Sequence, residues 1–141
     1  MIGGGEGVAQ KALEKLQEKY PGLRGWTDQP EQVDLSNLGN LSYLSEKIKK
    51  NHTKLVFVGL GAPKQEFFIK ELTAQLSTIN YQLSTVLMSV GGAFDELSGK
   101  IPRAPQRISD LGLKWLWRLI LEPWRIGRQA NLVKFVWLVL K

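Results

Sequence analysis

The chain has 141 residues, 43% of them hydrophobic and 23% charged, which suits one domain of ordinary size and is too apolar for a disordered polymer. With no cysteine and a single histidine, disulfides and thiolate sites are excluded, and a zinc site or a nucleophile–histidine pair has no support, so no metal and no cofactor are expected. The net charge of +6 belongs to one segment: Arg103 to Lys141 holds eight Lys and Arg against two acids, while residues 1–102 balance eleven against eleven.

From the start, Met1 and Ile2 run directly into Gly3-Gly4-Gly5 without the basic and apolar stretches of a secretion signal, so a cytoplasmic location is expected. A strand is expected before Gly3, as before every other glycine turn, and the sheet is therefore read as lacking its first half. Val8, Ala12, Leu13, Leu16 and Tyr20 recur at helical spacing until Pro21-Gly22 stops them. Leu23 to Trp26 is read as extended and residues 27–40, rich in Asp, Asn, Ser and Gly, as a loop. Leu41, Leu44 and Ile48 mark a second helix ending at Lys49-Lys50. The apolar run Leu55 to Val58 then predicts a strand buried on both faces.

Pro63 stands where helices begin, and Phe67, Phe68, Leu72 and Leu76 continue at helical spacing. Thr85 to Val90 is the third predicted strand. Helices alternating with buried strands and glycine turns predict an α/β fold, a partial Rossmann-like parallel sheet covered on both sides. After Gly99 the pattern changes. Pro102 and Pro105 break the chain, and helices interrupted at Glu122-Pro123 follow. The expected division is an incomplete α/β domain over residues 1–101 and a basic, Trp-rich helical appendage over residues 102–141.

Val58-Gly59-Leu60-Gly61-Ala62-Pro63-Lys64-Gln65-Glu66 takes a buried strand through two glycines into a helix. Glycine permits a tight turn and close approach of a ligand, and the free amides and dipole at a helix start attract phosphate. Lys64 adds a cation there and Gln65 a neutral amide. The same residues also suffice for a plain strand-to-helix turn, and they form neither a Walker loop nor the dinucleotide fingerprint. Gly3 to Gly7 allows the same phosphate reading more weakly. Val90-Gly91-Gly92-Ala93-Phe94-Asp95 sets a carboxylate where open α/β sheets bind ligands. Asp95 there suits either a sugar hydroxyl or a helix cap.

The strings VGLGAPKQE, VGGAFDELSGKIPRAP and LGLKWLWRLILEPWR, in this order, resemble successive signature blocks of the WecG/TagA/CpsF glycosyltransferase family, and GGGEGVAQKALEKLQEKYPGL is similar to the segment upstream of them. The resemblance implies a Rossmann-like core and transfer of an N-acetylhexosamine, typically N-acetylmannosamine, from a uridine-diphosphate sugar to a polyprenyl-diphosphate-linked N-acetylglucosamine. By position it makes Gln65 a pocket residue and Arg118, Arg125 and Arg128 the appendage cations that meet a diphosphate, while Gly61, Lys64 and Asp95 are candidate binding residues from the reading of the turns alone. It implies an aspartate general base in an amino-terminal half, with Thr and Asn motifs, that has no counterpart in this sequence. Asp28, Asp34, Asp95 and Asp110 do not lie in that motif. Glu96 and Lys114 depart from the usual aromatic and acidic residues at their positions.

The segment from Arg103 to Lys141 also carries four of the five Trp, namely Trp115, Trp117, Trp124 and Trp137. One reading makes Trp115, Leu116, Leu119, Leu132, Phe135, Val136 and Leu140 packing residues beneath a solvated basic face. The other sets them on an anionic membrane surface, at the inner face of the cell membrane, where amphipathic helices with Arg and Trp bind. Leu132 to Leu140 contains Lys134 and falls well short of the roughly 20 apolar residues of a spanning helix. Nucleic acid ranks last, because the aromatics and cations sit in an apolar helical tail and not on a stacking platform. A separate amino-terminal half or a homo-oligomer is the expected protein partner. A truncated, inactive membrane-surface or partner-binding protein is the alternative to a glycosyltransferase.

Overall fold

The computed structural model describes residues 1–29, 41–78, 85–123, 126–127 and 137–138. Most of the expected 27–40 loop, Arg125, Arg128, Trp124 and nearly all of the run from Leu132 to Leu140 lie outside them. The described chain forms two compact units, Met1–Lys100 and Ile101–Lys141.

The first unit is a parallel sheet with helices on both faces. Its elements are β1 (Ile2–Gly3), α1 (Val8–Lys19), α2 (Ser42–Lys50), β2 (Leu55–Gly59), α3 (Lys64–Thr78), β3 (Val86–Ser89) and α4 (Ala93–Leu97). The strands lie in the order β1-β2-β3, with Ile2 opposite Val58 and Leu55 opposite Val86. This is the α/β architecture that the alternating pattern predicts. The stretch Leu23 to Trp26 is extended but irregular, and beyond it Asp28 makes a parallel bridge to Ile2 on the free side of β1.

Period decides which side chains each layer receives. On one face, Val56 and Val58 of β2 meet Leu44 and Ile48 of α2 and Phe68, Leu72 and Leu76 of α3. Spacings of three and four residues place such side chains on one side of a helix. Burying each large one contributes roughly 1.5–3 kcal/mol. On the other face, Val8, Ala9 and Ala12 of α1 and Phe94 of α4 pack with Phe57 and Val90. Asp28 ties the outer segment to α2: its carboxylate accepts from Lys47 at 2.6 Å and from the Tyr43 hydroxyl at 3.2 Å.

The sheet is less covered than its apolar runs predict. Leu55 is 47% exposed, and Val86 and Met88 of β3 are 59% and 52% exposed. Side chains alternate along a strand, and the register puts Leu55 beside Val86 and Phe57 beside Met88 on the α1 side. There α1 and α4 reach Phe57, and among the described residues no helix caps the edge strand on that side. A continuous apolar run does not report how many of its residues a neighbouring layer reaches.

The second unit holds α5 (Gln106–Asp110) and α6 (Lys114–Leu121), which pack on each other. Trp117 donates its indole N–H to the Pro102 carbonyl at 3.2 Å. Neither helix has a fully buried residue, and Trp115, Ile120 and Trp137 are more than half exposed. Among the described residues no helix is long and apolar enough to cross a membrane.

Candidate active site at the carboxyl edge of the sheet

Three glycine turns meet where the strands end: Gly3–Gly7 after β1, Leu60–Pro63 after β2 and Val90–Gly92 after β3. They interlock through positions where no side chain fits. Gly3 has φ +95°, and a Cβ on it would stand 2.8 Å from the Gly59 carbonyl oxygen and from a Leu60 methyl. A Cβ on Gly59 would lie 2.7 Å from the Phe94 ring and 3.0 Å from the Gly91 oxygen. These distances are below van der Waals contact, so the close approach of the turns requires glycine. The Gly4 N–H donates to the Gly59 carbonyl at 2.8 Å and fixes the first turn on the second.

Gln65 fixes the second turn on the third. It lies in the first turn of α3 and is 7% exposed. Its Oε1 accepts from the Gly91 N–H at 3.1 Å, and its Nε2 donates to Glu66 Oε1 at 2.9 Å. Its own backbone N–H donates to the Gly61 carbonyl at 3.0 Å. The residue expected to line a pocket thus also braces two turns. Lys64, the first residue of α3, is exposed at the same mouth.

Asp95 stands in the first turn of α4, whose cap is Gly92, so it is not the capping residue. Its carboxylate pairs with Lys100 Nζ at 3.7 Å. Lys100 is a residue that sequence reasoning passed over. Its Nζ is 3.2 Å from the point a Gly5 Cβ would occupy, so the ammonium overhangs the first glycine turn. The only hint was its place after the glycine of the Ser98-Gly99-Lys100 run. Cations at Lys64 and Lys100, open turns and the Asp95 carboxylate give this edge the means to hold a phosphate and orient a hydroxyl.

Arg118 lies in the second unit, where its Nε meets Glu122 Oε2 at 3.3 Å, an i,i+4 pair on α6. Arg125 and Arg128 are outside the described residues, so the three expected arginines are not seen together. His52, exposed and at φ 47°, sits in a turn after α2. Among the described residues no group of three or more His, Asp or Glu gathers in a way that would hold a metal.

An open parallel α/β unit with its glycine turns and cations collected at the strand ends belongs to the class that takes ligands at that edge. The sequence profile described as "Glycosyl transferase WecG/TagA/CpsF family" matches residues 1–141, and the chain belongs to that family. It is 32% identical over 146 residues to the "N-acetylglucosaminyldiphosphoundecaprenol N-acetyl-beta-D-mannosaminyltransferase" of Bacillus subtilis (strain 168), a match covering 100% of this chain and 51% of the relative. The chain thus spans about half the length of that relative. No solved structure matches it.

Proposed function

We propose that this chain is the donor-diphosphate-binding part of a glycosyltransferase. The reaction moves an N-acetylhexosamine, N-acetylmannosamine by the name of the relative, from a uridine-diphosphate sugar to a polyprenyl-diphosphate-linked N-acetylglucosamine. The setting is cell-surface polysaccharide or teichoic acid synthesis, with the enzyme peripheral at the inner face of the cell membrane. The observation that carries the reading is the overhang of Lys100 above the Gly3–Gly7 turn, which the Gly4–Gly59 bond fixes on the turn leading to Lys64.

In the transfer, an acceptor hydroxyl oxygen attacks the anomeric carbon and gives its proton to a base. The bond from that carbon to the diphosphate oxygen breaks, and uridine diphosphate leaves with the electron pair. Charge grows on the diphosphate as the bond breaks, so cations and amide donors aimed at it accelerate the step. Lys64 and Lys100 supply the cations, and Asp95 accepts from a sugar or ribose hydroxyl. Arg118, Arg125 and Arg128 are the appendage cations we assign to a diphosphate, with Arg118 exchanging its Glu122 partner for the phosphate. The base is the aspartate that the family resemblance assigns to an amino-terminal half. The exposed Trp115, Ile120 and Trp137 suit a membrane surface and favour, as a second reading, a chain that binds membrane without catalysis.

Calorimetry with uridine diphosphate tests the site. Lys100→Ala and Lys64→Ala should each weaken binding about tenfold, the factor that follows from losing about 1.4 kcal/mol of charge-assisted hydrogen bonding. Absence of any binding heat from the folded protein would refute the reading.

A further inference from the structure

The Gln65 amide is held at both ends by partners of opposite kinds. The Gly91 N–H, which can only donate, meets Oε1 at 3.1 Å, and the Glu66 carboxylate accepts from Nε2 at 2.9 Å. Turning the amide over would set donor against donor and acceptor against acceptor, so the two partners together permit one orientation. A side-chain amide carries two hydrogens on its nitrogen. One goes to Glu66, and the other has no protein acceptor among the described residues.

The bond to Glu66 is not one that a helix makes by default. Side chains at successive helical positions do not face each other, yet Gln65 and Glu66 are successive residues in the first turn of α3. Glu66 is exposed and Gln65 is buried, so a solvated carboxylate turns back toward a nearly covered amide. The gain is direction. An amide bonded only through Oε1 to Gly91 can still rotate about that bond, whereas a second bond at Nε2 fixes its plane and the heading of the remaining hydrogen. Ala62, Pro63 and Lys64, which lead into Gln65, are exposed, so a ligand seated on that turn lies next to the amide.

We propose that Glu66 is a positioning residue, which holds the Gln65 amide so that its second hydrogen is given to a neutral carbonyl oxygen of the sugar nucleotide. This rests on the donor-binding reading and refines it. The oxygen is neutral because a phosphate oxygen on the same amide nitrogen would stand close to the Glu66 carboxylate, and like charges at that range repel. A carbonyl oxygen meets no such repulsion, and the hydrogen it accepts would otherwise be left to solvent. The nucleotide offers two carbonyl sources, the uracil ring and the acetamido group of the sugar. The diphosphate stays with the cations Lys64 and Lys100.

Two variants separate positioning from charge. Glu66→Ala removes acceptor and charge together, while Glu66→Gln removes the charge and keeps an oxygen that can accept from Nε2. If Glu66 acts only as an anion, on the helix dipole or near the diphosphate, the two variants should behave alike and bind nucleotide as tightly as the parent or tighter. As a positioning residue it gives a different result. Glu66→Ala should weaken calorimetric binding of uridine-diphosphate N-acetylglucosamine about three- to tenfold, the range for one lost hydrogen bond, and Glu66→Gln should restore it. Uridine diphosphate and uridine-diphosphate glucose tell the carbonyls apart: an equal loss with all three ligands assigns the uracil, and a loss confined to the acetamido ligand assigns the sugar. Either supports the proposal. The free protein gives an independent arm, in the Gln65 side-chain amide pair of a heteronuclear correlation spectrum, identified by its disappearance in Gln65→Met. Hydrogen exchange at Nε2 should quicken about threefold or more in Glu66→Ala and return to the parent rate in Glu66→Gln. An unchanged amide pair in Glu66→Ala, or like behaviour of the two variants, would overturn the proposal. If the parent protein binds no nucleotide, the donor reading fails, and the amide pair alone decides whether Glu66 positions Gln65.

Discussion

The two ends of the sheet solve the same problem in opposite ways. At the carboxyl ends of the strands, Gly3 and Gly59 let the turns press together, and the Phe94 ring fills the space beside Gly59. At the amino ends, the two parallel backbones around Leu55 and Arg24 stand apart, with a cavity of about 660 Å³ between them. The first arrangement satisfies its polar groups within the chain, through the Gly4–Gly59 and Gly91–Gln65 bonds. The second leaves a cavity lined by apolar side chains, among them Leu13, Leu16, Trp26 and Val56.

The difference has a measurable size. Phe94 is 2% exposed and packs with Val8, Ala9 and Ala12. Phe94→Ala should cost about 3–5 kcal/mol in urea unfolding, the usual cost of emptying a core phenyl site. Leu55→Ala at the open end, where the side chain is 47% exposed, should cost less than about 1 kcal/mol. Equal costs at the two positions would mean that Leu55 is as well packed in solution as Phe94 and that the contrast is wrong.

A smaller effect is expected at Gln65. Gln65→Met keeps the length and apolar stem of the side chain but removes the acceptor of the Gly91 N–H. The loss should be about 1–3 kcal/mol, because a partly buried donor is left without its partner. Gln65→Glu keeps an acceptor and should recover part of that loss. If Gln65→Met is as stable as the parent protein, the brace between the turns contributes nothing and Gln65 serves only the ligand.

Much of the fold could be read from periodicity because its causes are local. The spacing of Val8, Ala12 and Leu16 and the stop at Pro21-Gly22 correspond to α1, ending at Lys19, and Pro63 directly precedes α3. The glycine turns were legible for the same reason: glycine marks where the backbone must turn. What those turns touch was not legible. The Gly91–Gln65 bond joins residues 26 apart in sequence, and the position of Lys100 over Gly5 depends on α1 and α4 packing together. The exposure of Val86 and Met88 depends on how far α1 and α4 reach across the sheet. Spacing along the chain carries none of that.

The smallest expected effect is at Tyr43. Its hydroxyl donates to Asp28 Oδ1 at 3.2 Å. Burial, reinforced by the Asp28 charge and that hydrogen bond, raises its pKa from 10.0 to about 12. Below pH 10 the phenol keeps its proton in both folded and unfolded chains, and its contribution to stability is fully present. Between pH 10 and about 12 the unfolded chain releases that proton and the folded one retains it, so the unfolded state binds fewer protons and stability falls as pH rises. Lysine side chains in general titrate in the same range, so the absolute slope does not isolate the phenol. The difference between the parent protein and Tyr43→Phe does isolate it. Any advantage of the parent at pH 9 should shrink steadily as pH approaches 12, in urea unfolding at fixed ionic strength. A difference independent of pH would mean that Tyr43 is not held by Asp28, leaving the Lys47–Asp28 pair as the tie to α2 described here.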